Sequence, residues 1–226
     1  MKLEILQRNN LEEGGFSGLK EHRLVVDEKV GFSSKGAWNG LDNFVYLADA
    51  RFLPNGQTRM HSHKEIDVIS VMVAGNIVHE GSLSHGKNMQ VGQAQVQRAG
   101  GEGFKHNEIN PDNKENRMLQ LWVLPDNEGE AADYKFYDLK KGQLTKIYGG
   151  NKDQDATFDS KINIEVGHFN EGQQQSKQGE FLAYMIGGSA TINSTEVKDG
   201  DLVRAENLEF KAIKDAQVII ITKRSK

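Results

Sequence analysis

The sequence predicts an all-β chain built as a duplicated barrel, and three observations point there. Short apolar and β-branched runs recur at intervals of about 8 to 12 residues, the spacing of a sandwich or barrel. Glycine is abundant, 24 residues against 3 prolines, above the usual share of about 7%. Glycines scattered between short apolar runs mark many tight turns. Finally, the second half repeats features of the first, and no run long enough for a globular helix competes through a 3.6-residue period.

The elements follow in order, each bounded by Gly, Asn, Asp or Pro. Phe44 to Phe52 is an apolar run that stops at Leu53-Pro54-Asn55-Gly56. Ile66 to Val73 is rich in Ile and Val and stops before Gly75, and Asn76 to Glu80 leaves that glycine as its return strand. Gln93 to Arg98 begins after Gly92, and Arg117 to Leu124 ends on Pro125. The second half offers Gln143 to Tyr148, Ile162 to Phe169, Phe181 to Ile186, Ser189 to Ile192, Asp201 to Arg204 and Val218 to Thr222, with glycine pairs at 149–150 and 187–188. The polar stretch between Pro125 and Asp133 supplies a boundary, giving a first barrel over residues 1–130 and a second over 131–226. Asn55-Gly56-Gln57 before one strand parallels Glu171-Gly172-Gln173 before another.

Composition excludes several function classes. A net charge of −4, a pI near 6.0 and the lack of any basic stretch argue against direct nucleic-acid binding. No apolar run reaches the length of a membrane span, and Met1-Lys2-Leu3-Glu4 does not open an apolar signal core. Cytoplasmic placement is the expectation. With no cysteine there is neither a disulfide framework nor a thiolate metal site.

Two short motifs carry chemistry: His61-Ser62-His63 and His106-Asn107-Glu108. Both lie in stretches that read as strand, where residues i and i+2 share a face roughly 6.6 Å apart. If the two strands face one another, three imidazoles and one carboxylate converge. That set suits one divalent transition metal with positions left for water or substrate. Where the first half has His61 and His63, the second offers only Gln174, Gln175, Ser176 and Lys177, so one barrel alone is expected to bind metal. Asp67 is placed to hydrogen-bond the second nitrogen of a ligand histidine, with a salt bridge to Lys64 or Arg59 as its rival role. His79 and His85 read as solvated or edge residues, and His22 and His168 lack a partner spacing. Lys64, Lys105 and Arg98 read as solvated. Met60, Met72, Met118 and Phe104 read as residues lining or backing the pocket, and Trp122 as core.

These residues resemble a known family. Gly56 to His63, followed by Lys64-Glu65-Ile66-Asp67 and Gly75, resembles the first cupin motif. The closer resemblance is to the pirins, two-barrel members of the cupin superfamily. It rests on His61-Ser62-His63-Lys64-Glu65-Ile66-Asp67, on Ala99-Gly100-Gly101-Glu102-Gly103-Phe104-Lys105-His106-Asn107-Glu108, and on Leu119 to Pro125. Ser62 stands where pirins mostly have Pro, Asp67 replaces the usual Glu, and one residue is inserted in the Gly100 to Gly103 turn. The first 45 residues match only through Gly15-Phe16 and Gly31-Phe32-Ser33.

The resemblance implies two cupin barrels, jelly rolls of the double-stranded β-helix type. It implies His61, His63, His106 and Glu108 as metal ligands, Fe(II) as the metal with Mn(II), Ni(II), Co(II) or Zn(II) as alternatives, and Glu108 as the base. The activity it implies is quercetin 2,3-dioxygenase-like opening of a flavonol or similar small molecule with O2. Its alternatives are a non-enzymatic regulator that binds a protein partner, and another small-molecule cupin reaction.

Overall fold

The structure, a computed structural model, describes residues 2–84 and 86–224, so the expectation for His85 lies outside the described residues. It is all-β apart from two single 3₁₀ turns, Arg8–Asn10 and Glu28–Val30. Its contacts divide it into two units: Leu11–Asp138, and Leu139–Lys226 together with Met1–Asn10.

Strand β1 (Glu4–Gln7) belongs to the second unit. The first unit comprises β2 (Gly14–Phe16), β3 (Leu19–Val26), β4 (Phe44–Phe52), β5 (His61–His63), β6 (Asp67–Ala74), β7 (Asn76–Gly81), β8 (Lys87–Gln90), β9 (Gln93–Arg98), β10 (Phe104–Ile109), β11 (Arg117–Val123) and β12 (Asp133–Asp138). These form a seven-stranded sheet, β12-β9-β6-β11-β4-β3-β2, and a four-stranded sheet, β5-β10-β7-β8. The second unit comprises β13 (Gln143–Gly150), β14 (Ser160–Phe169), β15 (Gln174–Gly187), β16 (Ser189–Ile192), β17 (Thr195–Lys198), β18 (Asp201–Ala212) and β19 (Ala216–Lys223). They make one sheet in the order β13-β14-β19-β15-β18-β16-β17, with β1 added on β18.

The division differs from the expected boundary at 130/131 in two places. Strand β12 pairs along its whole length with β9, from Asp133↔Arg98 to Asp138↔Gln93, which carries the first unit to residue 138. Strand β1 pairs with β18, from Glu4↔Arg204 to Gln7↔Asp201, and Arg204 Nε donates to Glu4 at 2.9 Å. Both are pairings between residues far apart in the chain, which local patterning does not encode.

Register sorts the interior of the first unit into tiers, because side chains two apart on a strand share a face. Met118 lies opposite Met72 and Ala50; Gln120 opposite Ser70 and Ala48; Trp122 opposite Val68 and Tyr46. The first tier joins Phe52, Ile77 and Met89 in an apolar floor. The middle tier is polar: Ser70, Gln95, His79 and Glu108 are all fully buried there. The third is aromatic. In the second unit the matching interior is apolar throughout, with Phe181, Ala183, Met185, Val203, Ala205, Val218 and Ile220 buried together. Its four residues at the position of the missing histidines include Lys177, which pairs with Glu165 at 2.6 Å.

Candidate metal centre

Strand β5 lies antiparallel to β10 with His106 opposite His61 and Phe104 opposite His63. That register turns all three imidazoles to one point. The Nε2 atom of His106 lies 3.0 Å from that of His61 and 3.2 Å from that of His63. Two nitrogens bound at right angles, each at about 2.1 Å from a metal, stand about 3.0 Å apart, so the spacing suits adjacent ligands on one ion. His61, His63 and His106 are the group whose donor atoms gather closely enough to hold a metal among the described residues.

Their protonation suits the task. Burial, and then the charge of His61, hold His63 down at about 4. Burial, followed by His61, His63 and His79, holds His106 lower still. Both are therefore neutral donors at pH 7, as metal ligation requires. His61 has its Nδ1 at 2.9 Å from the carbonyl of Arg59. That contact places the proton on Nδ1 and leaves Nε2 as the donor atom. Arg59 adopts a left-handed φ of 64°; such a conformation is uncommon outside glycine and persists only where its surroundings enforce it.

Gly81 sits across from His106 in the β7–β10 pair. A Cβ there would lie 2.3 Å from the Lys105 carbonyl oxygen and 3.0 Å from the His106 Cα. We therefore expect Gly81→Ala to push β10 outward, costing about 1–3 kcal/mol by overpacking and weakening metal uptake. Thermal melting and a metal titration on the one variant check both effects; wild-type values in both would refute the account.

Glu108, the expected fourth ligand, stands one tier below the imidazoles and is not part of their cluster. It is fully buried and accepts from Ser70 Oγ at 2.9 Å, from Gln120 Nε2 at 3.2 Å and from Gln95 Nε2 at 3.4 Å. Burial pushes its carboxyl up to about 7, against those three hydrogen bonds, which pull it down. Tyr134 Oη in turn donates to Gln95 Oε1 at 3.0 Å. The backbone of Glu108 is pinned by Thr58, whose hydroxyl accepts its N–H and whose own N–H reaches its carbonyl, each at 3.0 Å.

Several residues fall elsewhere than their local sequence suggested. Asp67 does not reach a ligand imidazole: Arg98 Nε donates to it at 3.1 Å, and Arg98 also pairs with Glu130 at 2.6 Å. Arg98 is thus buried rather than solvated, because Asp67 and Arg98 face each other across β6 and β9. His79 is fully buried opposite Glu108, its ring 5.5 Å from that of His106. Met60 is 55% exposed, whereas Met72, Met118 and Phe104 are buried. Trp122, expected as core, is partly buried and packs against the apolar clusters of Tyr46 and of Val68 with Phe104. It stacks on Tyr46 with ring centres 4.2 Å apart, meets Phe32 edge-on, and lies 5.8 Å from the His63 ring.

Gln97, Gln95, Gln120, Ser70 and Tyr134 escaped notice in the sequence. A signal was there for two of them: Gln95 and Gln97 follow Gln93 in alternation along a strand that is buried on both faces.

A barrel with a three-imidazole cluster above a buried carboxyl group defines a cupin with a divalent-metal donor set. The Pirin family model matches residues 32–123, which span the whole cluster. A quercetin 2,3-dioxygenase of Escherichia coli (strain K12) is 28% identical over 168 residues, 71% of this chain and 69% of that protein. A pirin-like protein of Caulobacter vibrioides is 26% identical over 185 residues, 77% of this chain and 75% of its own length. Among solved structures, an Escherichia coli pirin in complex with nickel(II) superposes with a TM-score of 0.83 at 15% identity, covering 97% of this chain and 98% of that one. The chain is thus similar to the pirins, and its fold is the two-cupin arrangement. No helix among the described residues is long and apolar enough to cross a membrane.

Proposed function

We propose that the chain is a metal-dependent dioxygenase of the pirin type. His61, His63 and His106 hold one divalent metal, Fe(II) in the cell, and Glu108, proposed from the sequence as a fourth ligand, serves from the tier below as base. The observation that carries this reading is the approach of three imidazole nitrogens, at 3.0 and 3.2 Å, beside a buried carboxyl group raised to about 7. When bound, the metal supplies Lewis acidity toward a hydroxyl group and its neighbouring ketone, and a site for O2.

The substrate in this reading is a flavonol or a similar enediol, a planar molecule with a hydroxyl beside a carbonyl. Trp122, 5.8 Å from the His63 ring, offers such a ring an apolar wall together with Tyr46 and Phe32. Trp122 Nε1 is buried without an acceptor in the protein, so it has an N–H to offer a ligand oxygen. Glu108 takes the hydroxyl proton; a carboxylate with its affinity for protons near neutrality is matched to that role. Ser70, Gln95 and Gln120 hold it there while it is charged. Ring opening then incorporates O2 and expels one carbon as carbon monoxide. We place this activity in the cytoplasm.

Carbon monoxide release from aerobic quercetin tests it, using protein reconstituted in turn with Fe(II), Mn(II), Ni(II), Co(II) and Zn(II). We expect release that requires both a metal and His61, with His61→Ala as the control. Absence of release while metal is demonstrably bound would overturn the dioxygenase reading in favour of a regulator with a protein partner or another small-molecule cupin reaction.

A further inference from the structure

We infer that the second unit carries an oxyanion site, a surface cavity that takes the phosphate or carboxylate group of a small molecule. Its residues all belong to the second unit, and the inference does not rest on the metal reading. The cavity, about 370 Å³, is lined by Lys146, Gln154, Thr157, Asn163 and Arg224, with Asp153 as its one carboxylate. Two cations against one carboxylate leave it positive, in a chain whose net charge is −4. The cavity beside Lys141 is different: there Lys141 pairs with Asp215 at 2.8 Å, so its charges cancel.

Both cations are left over from the pairing around them. Lys146 stands opposite Glu165 across β13 and β14, but Glu165 is taken by Lys177 at 2.6 Å. Arg224 is held by carbonyls instead: its backbone N–H donates to Lys161 at 2.6 Å and its Nη1 to Gly150 at 2.7 Å. Among the described residues neither cation makes an ion pair. The guanidinium is thus anchored through one nitrogen while Nε and Nη2 stay available, the paired donors that match a planar or tetrahedral oxyanion. The facing wall is cross-linked. Gln154 Nε2 donates to the carbonyls of Asn151 at 2.9 Å and Thr157 at 3.0 Å, its Oε1 accepts the Thr157 N–H at 3.0 Å, and Thr157 Oγ1 donates to the Gly149 carbonyl at 2.5 Å. Strand β13 shifts register twice here, at Lys146/Tyr148 and Tyr148/Gly150, and such bulges re-aim side chains at sites. Gly149 has a φ of 95°, and a Cβ there would lie 2.1 Å from the Ile162 carbonyl oxygen, so only glycine permits this approach to β14. Donors fixed beforehand cost little to order when a ligand arrives.

The test titrates the full chain with inorganic phosphate and, separately, with acetate, following backbone amide and arginine Nε–H signals by ¹H–¹⁵N NMR. We expect saturable shifts confined to residues 146–163 and Arg224 with at least one of the two anions, weakening as salt is raised. A response to phosphate alone assigns the ligand's group as phosphate, and a response to acetate alone assigns it as carboxylate. Arg224→Gln should weaken binding about 10-fold or more, the usual worth of a hydrogen bond to a charged group. Asp153→Asn, which removes the one like charge facing the anion, should tighten it about 2- to 5-fold. Lys146 and Arg224 are both exposed, so their replacement leaves the barrel folded, as the remaining amide signals of each variant will show. No saturable shift with either anion would overturn the inference. So would wild-type affinity in both Arg224→Gln and Lys146→Gln, or shifts spread over surface lysines throughout the chain.

Discussion

Replacing His106 with alanine should abolish divalent-metal binding, and His61→Ala should do the same. The reason is geometric. His106 Nε2 is the hub of the cluster, at 3.0 Å from His61 and 3.2 Å from His63, and no other imidazole in the cluster can take its place. His79 lies with its ring 5.5 Å from that of His106 and belongs to the tier of Glu108. Equilibrium dialysis with Ni(II) or Fe(II), with circular dichroism to confirm that the barrels persist, reads the effect directly. Full occupancy after both substitutions would sink the assignment of the centre.

The second large effect is expected at Glu108. Glu108→Gln should lower turnover about 10²- to 10⁴-fold, the usual worth of a positioned general base, while weakening metal binding less than the loss of a histidine does. The same substitution has an effect on stability with a definite sign. Burial raises the carboxyl from its ordinary 4.5 to about 7 in the folded protein. Between those values the unfolded chain has shed a proton that the folded chain retains, so stability falls as pH rises through that window. Above about pH 7 the full cost, about 3 kcal/mol, is present. Metal-stripped Glu108→Gln should therefore gain on wild type as pH rises from 4.5 to 8, and the gap should close below pH 4.5. Urea unfolding at pH 4, 6 and 8 measures this; a gap independent of pH would show that the carboxyl group is not held in its uncharged form.

The two candidate pairs, His61 with His63 and His106 with Glu108, were legible because their spacing is a local property. Residues i and i+2 on a strand share a face whatever the rest of the chain does, so His61 with His63, and His106 with Glu108, each point one way. The turns were legible for the same reason. Gly75 and Gly103, both at positive φ, hold conformations that other residues adopt only at a cost. What spacing does not supply is the identity of the neighbouring strand. Asp67 and His63 are close in the chain, yet Asp67 meets Arg98 because β6 lies beside β9. Residues 1–10 carry no mark of the second unit, since a four-residue edge strand names no partner until it pairs with β18.

The sequence by itself therefore determined the strand-rich architecture, the presence of the paired histidines in one half only, and the pairs that face one way. The tertiary structure alone decided that His106 stands opposite His61, that Glu108 sits in a buried polar tier where its carboxyl holds a proton near neutrality, and that Trp122 stacks on Tyr46 beside the His63 ring. The physical reason is the range of the interactions. Side-chain direction and turn conformation are fixed within a few residues, whereas strand register, burial and the electrostatics that follow from burial arise between residues brought together only by folding.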